Sequence, residues 1–203
     1  MIYILILFTF IIYILFIISN FDINKYNPSY DPNKYNKNKF IKKSHNCYMY
    51  ALDDIDLQLA NKCKKNKKNK KNNFCHNLKH IPGHTKYYIS TKKVSTCENI
   101  KKAIIDDNSD IYITNFNNKC KNGFYKIASS VDNNKTFHFY RQDNDYLWSH
   151  KDSGGKATNL DKNNKLIIDP KKANRGIYKT FCNYFCVPNN KLKKTHSARK
   201  ILF

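Results

Sequence analysis

Residues 136–151 read TFHFYRQDNDYLWSHK. Phe137, Phe139 and Arg141 alternate with His138 and Tyr140, a period of two that puts the first set on one face of a strand and the second on the other. Asp143-Asn144-Asp145 is a turn, Tyr146 stands where that turn would favour glycine, and residues 147–151 begin the returning strand. The segment therefore predicts an antiparallel hairpin. Upstream, residues 123–131 carry Phe124, Ile127, Ala128 and Val131 and predict another strand. Downstream, Gly154-Gly155 is a loop. Residues 165–168 are a short strand candidate closed by Asp169-Pro170, and residues 176–187 mix aromatic residues with Cys182 and Cys186 in a helix or strand. Ahead of the strands the period changes. Cys47, Tyr50, Ala51, Leu52, Ile55 and Leu59 recur at helical spacing, which predicts a helix over 46–60 with Asn46 as its cap. A second short helix is expected over 97–107, and Pro82-Gly83 is a turn signal. Helices followed by an antiparallel meander define an α+β domain.

The hairpin carries two imidazoles. His138 and His150 lie twelve residues apart, around the turn at 143–146, so both rings can face one side of the sheet. Seven cysteines are present: Cys47, Cys63, Cys75, Cys97, Cys120, Cys182 and Cys186. An odd number leaves at least one unpaired thiol in a monomer. An oxidising compartment would allow three disulfides and one free cysteine, whereas a cytoplasmic chain would keep all seven reduced. Cys47, at the start of a predicted helix, is the candidate nucleophile, because the helix dipole would lower its pKa. His138 and His150 are then its base and the group that orients the base. Two weaker constellations stand beside this one. Cys63, Cys75, His76, His80, His84 and Cys97 could gather a zinc ion, although they form no paired Cys-x-x-Cys knuckle. Cys182 and Cys186 would share a face if helical.

Net charge is +22, from 37 Lys and Arg against 15 Asp and Glu, yet 41% of residues are hydrophobic. Position resolves the conflict. Residues 1–19 carry no charge, and residues 2–18 form an apolar run broken by one Thr, about 25 Å long as a helix. No basic residue precedes it and no Ala-x-Ala follows it, which favours a transmembrane helix or signal anchor over a cleaved secretory signal. Residues 20–43 read as a linker, with Pro28 and Pro32 forbidding a continuous helix. The domain then occupies 44–188, interrupted by a Lys-rich insertion at 61–73, and 189–203 form a basic tail. Only three of the basic residues are Arg (Arg141, Arg175 and Arg199), whereas Arg is the usual bidentate reader of bases and phosphates. Nucleic acid is therefore not the expected primary partner, and diffuse attraction to anionic surfaces is.

Taken together, Asn46-Cys47-Tyr48-Met49-Tyr50-Ala51-Leu52, Pro82-Gly83-His84, His138-Phe139-Tyr140-Arg141-Gln142-Asp143, Trp148-Ser149-His150-Lys151 and Asp169-Pro170 with Ala173 resemble a family of mostly uncharacterised proteins from large DNA viruses and bacteria. The order helix-Cys, strand-His, next-strand polar residue also resembles the papain-like fold of NlpC-type cysteine peptidases. That resemblance spans residues 44–187. It implies Cys47 as nucleophile, His138 as general base and His150 as the orienting group, with no cofactor. The expectation is thus a membrane-anchored, papain-like thiol hydrolase acting on a peptide or acyl substrate. A non-enzymatic structural or interaction protein and a basic nucleic-acid or lipid-surface binder are the alternatives.

Overall fold

The computed structural model describes residues 6–14, 26–68, 75, 79–83, 95–133 and 135–189. Helix α1 spans 6–14. It is followed by α2 (Asn33–Asn36), α3 (Lys39–Ser44), α4 (Cys47–Ala51), α5 (Leu57–Lys68) and α6 (Cys97–Asp107). Six strands come next: β1 (Tyr112–Thr114), β2 (Phe124–Asp132), β3 (Thr136–Gln142), β4 (Trp148–Lys151), β5 (Ala157–Thr158) and β6 (Thr180–Pro188). They form one sheet in the order β1-β6-β2-β3-β4-β5, in which every pairing is antiparallel.

The expected membrane helix is corrected. No helix among the described residues is long and apolar enough to cross a membrane. The described part of α1 has nine residues, about 14 Å of rise against a hydrocarbon core of about 30 Å. Residues 1–5 and 15–19 lie outside the described residues. The single-pass assignment, and with it the membrane localisation, is not upheld. What stands of the fold class is α+β with an antiparallel sheet.

The expected helix over 46–60 is two helices. Asp53 breaks it: its φ is +50°, a left-handed conformation that ends a right-handed helix. Its carboxylate is held there by Arg141 Nη1 at 2.9 Å and Lys34 Nζ at 2.7 Å. Asp56 then starts α5, with Oδ1 accepting from the Leu59 amide at 3.0 Å. The first part of the Lys-rich stretch, residues 61–68, continues α5, while 69–73 lie outside the described residues. Part of the expected linker is also folded. Helices α2 and α3 belong to the packed domain, and Tyr35 is fully buried among Ile41, Tyr50, Ala60 and Ala157.

The sheet is covered on one face by α4 and α6. Tyr48, Ala51, Ile100 and Ile104 pack there against Tyr125, Ile127, Phe137, Phe139 and Phe185. The other face gathers Ala128, Tyr140, Trp148, Ile167 and Tyr184. Successive strand residues alternate between faces, so the sequence TFHFY sends its phenylalanines to the helices and His138 with Tyr140 to the opposite side. Tyr146 has φ +64° in the β3–β4 turn, the conformation that its glycine-favouring position predicts.

Candidate functional site

Asn46 sets the start of α4. Its side-chain oxygen accepts from the Met49 amide at 3.1 Å, and its amide nitrogen donates to the His80 carbonyl at 2.7 Å. Cys47 follows as the first helical residue, 4% exposed. Its Sγ contacts the Phe137 carbonyl at 3.9 Å, one residue before His138. Burial pushes the Cys47 thiol up to about 12, only partly offset by the Phe139 amide. The lowering expected from the helix start is therefore overturned: a five-residue helix cannot outweigh complete desolvation.

Register carries the two histidines together. With Tyr140 opposite His150, the ladder puts His138 and His150 diagonally adjacent on one face. His138 Nε2 and His150 Nδ1 are 2.8 Å apart. His150 Nε2 lies 3.0 Å from the Leu160 carbonyl, which can only accept, so this nitrogen carries the proton. Neutral His150 then accepts at Nδ1, and His138 donates from Nε2. The chain of bonds leaves the second nitrogen of His138, Nδ1, with its lone pair free of a proton. Desolvation lowers the pKa of both rings, most strongly for fully buried His138, so the neutral forms are the stable ones. Tyr178 stacks on the His138 ring at 4.6 Å and 23°, and Tyr140 meets its edge at 4.9 Å.

The structure thus joins His138 to His150 by a direct hydrogen bond. It places Cys47 on the helix side of the same strand, packed with Phe137 and Phe139. Among the described residues no hydrogen bond links the thiol to His138. Asp152 was missed in the sequence, although its signal was there: two residues after His150, it shares that face. Its Oδ1 is 4.0 Å from His150 Nδ1, and its Oδ2 is 2.7 Å from Lys162 Nζ. The Leu160 carbonyl and Tyr178 arrive from loops whose path no periodicity reveals.

The remaining cysteines are paired: Cys63–Cys75, Cys97–Cys182 and Cys120–Cys186. Cys47 is the free one. The zinc arrangement considered for Cys63, Cys75 and Cys97 is thereby overturned, since a disulfide sulfur is no thiolate ligand. His80 is buried, with Nδ1 4.0 Å from Asp54, while His76 and His84 lie outside the described residues. Cys182 and Cys186 lie on a strand rather than a helix and bond to different partners.

Fold and site together define a disulfide-stapled α+β domain with one buried thiol and a hydrogen-bonded histidine pair on β3 and β4. Comparison with known proteins gives a partial likeness. Over 61 residues the chain is 43% identical to Insoluble matrix shell protein 1 of Ruditapes philippinarum, covering 30% of this chain and 41% of that protein. The chain thus spans about two fifths of the length of the curated relative it matches. No protein-family model matches the chain, and no solved structure does.

Proposed function

We propose that the domain is a thiol hydrolase of an oxidising compartment, cleaving an amide or related acyl bond through Cys47, His138 and His150. The observation that carries this reading is the His138–His150 hydrogen bond on β3 and β4, with the sole unpaired cysteine packed against the backbone of the same strand at Phe137. Its polarity is the one a general base needs. Leu160 fixes His150, His150 fixes His138, and the proton-free Nδ1 of His138 is the acceptor for the thiol proton once Cys47, which rests on the helix side of β3, is brought to that ring. As the Cys47 sulfur attacks the acyl carbon, its proton passes to His138 and then to the leaving amine as the C–N bond breaks. Water next cleaves the thioester, with His138 taking its proton and returning it to Cys47. The resting pair is neutral thiol and neutral imidazole, because burial disfavours both ions. Three disulfides support an oxidising setting.

A chloroacetamide probe tests the proposal. Cys47 in the folded chain should alkylate at least about tenfold faster than in a His138→Gln variant, with both alkylating equally once unfolded. Equal native rates would overturn it.

The likeness to the shell matrix protein favours a second reading, a non-catalytic structural or interaction domain. On that reading the Lys excess binds an acidic polymer, the affinity falls steeply with salt, and Cys47→Ser leaves function intact.

A further inference from the structure

His138, His150 and Asp152 each offer a ligand atom, and these atoms lie within 4.8 Å of one another. We propose that they form a binding site for a borderline transition-metal dication of the zinc or cobalt class, with His138 Nε2, His150 Nδ1 and an Asp152 carboxylate oxygen as ligands. This site shares His138 and His150 with the hydrolase reading but does not rest on it, because Cys47 is not among its ligands.

Four features support it. The first is donor type: two imidazoles and one carboxylate are a ligand set that such ions use, with one coordination position left for water or substrate. The second is orientation. A metal-bound histidine nearly always donates its other ring N–H to a carbonyl or carboxylate. His150 already does so, from Nε2 to Leu160 at 3.0 Å, which aims the Nδ1 lone pair at the site. The third is the carboxylate. Lys162 holds Asp152 Oδ2 at 2.7 Å, leaving Oδ1 on the histidine side at 4.0 Å from His150 Nδ1. The fourth is access. Both histidines are almost fully buried, but the Asp152 side chain is 44% exposed, so the site opens to solvent on that side.

Between the two rings the geometric adjustment is small, while the Asp152 carboxylate, 4.0 Å from His150 Nδ1, closes in by side-chain rotation. Two imidazole nitrogens on a tetrahedral ion, each about 2.0–2.1 Å from it, stand roughly 3.3 Å apart. His138 and His150 need open only about half an ångström from their 2.8 Å contact. The ion takes the place of the shared proton, and His138 moves its own proton to Nδ1. Metal and His138–His150 hydrogen bond are therefore mutually exclusive. On the hydrolase reading, occupancy also removes the proton acceptor, so the ion is an inhibitor.

Titrating the full-length, disulfide-bonded chain with Co2+ alone tests the site. One ion per chain should bind, giving visible d–d absorption without a sulfur charge-transfer band, and Cys47→Ser should leave the spectrum unchanged. His150→Gln and Asp152→Asn should each weaken binding about tenfold or more. Thermal melts check that His150→Gln folds. Asp152→Asn, on a half-exposed side chain, keeps the test intact if it does not. Failure of Co2+ to bind, affinity unchanged in Asp152→Asn, or a sulfur band lost in Cys47→Ser would each overturn the proposal. None of these results bears on His138-dependent alkylation of Cys47, so the two proposals fail separately.

Discussion

Arg141 lies on the strand face opposite His138, with a guanidinium only 2% exposed. Its Nη2 meets Asp143 Oδ1 at 2.8 Å, its Nη1 meets Asp53 at 2.9 Å, and its charge sits over the Tyr50 ring at 4.4 Å. A buried pair is costly to break, since the survivor stays desolvated and uncompensated. Arg141→Met should cost about 3–5 kcal/mol in urea unfolding. Adding Asp143→Asn should recover part of that loss, because the orphaned carboxylate causes it. No recovery would mean that packing, not charge, is responsible. His45 gives a pH effect of definite sign. Its Nε2 accepts from the Asp56 amide at 2.9 Å, and its Nδ1 donates to the Ile41 carbonyl at 3.0 Å. Protonating Nε2 breaks the first bond, and burial lowers its pKa to about 4. The unfolded chain, near 6.5, binds the proton more readily, so stability is full above pH 6.5 and falls as pH drops toward 4. The contribution is on the order of 3 kcal/mol. Asp143, pushed up to about 6 by burial, works in the opposite sense. The comparison is therefore with His45→Gln: its unfolding free energy should fall less than the parent's between pH 7 and pH 4.5. Parallel curves would remove His45 as the cause.

At the scale of elements, β2 and the β3–β4 hairpin were legible because their code is local, whereas the short strands β1 and β5 were not. Alternation over 136–142 and the turn chemistry after it reproduce β3, the hairpin and its faces within a residue or two. Helix α6 matches the expected 97–107, where Thr96 accepts from the Asn99 amide and Ile100, Ala103 and Ile104 form its buried stripe. The break between α4 and α5 was not legible. Asp53 is a weak helix former but so are Asp54 and Asp56, so propensity marks no single break, and the Arg141 that holds Asp53 out of the helix lies 88 residues away. The same holds for the staples. Cysteine spacing fixed no pairing, yet Cys97–Cys182 ties α6 to β6 across 85 residues, and Cys120–Cys186 closes 66. Loops of that length limit the unfolded chain strongly. A Cys97→Ser/Cys182→Ser variant should lose about 2–5 kcal/mol in chemical denaturation. A smaller loss would show that α6 is held by its apolar face alone.

Over the whole molecule, the site was half legible. His138 and His150 share a face by parity, which needs only two strands and a turn. The state of Cys47 needs the full tertiary structure: its burial comes from packing α4 and α6 onto β2, β3 and β6, so an expected activated thiolate becomes a buried neutral thiol. The apolar N-terminus misled for a related reason. Composition over 1–19 reports hydrophobicity, whereas spanning a membrane requires a long apolar helix, and no helix among the described residues meets that requirement. Redox state then separates the remaining possibilities for the chain as a whole. A chain folded under oxidising conditions has six of its seven cysteines in disulfides and Cys47 alone as a thiol. Unfolded in denaturant without reductant, it should take up one alkyl group, at Cys47, and seven only after reduction. Peptide mapping should find the three bridges as disulfide-linked fragments. Seven alkyl groups without reductant would describe a chain of a reducing compartment and remove the oxidising setting from the proposed function. A single group on a cysteine other than Cys47 would move the candidate nucleophile into a disulfide and remove the hydrolase itself.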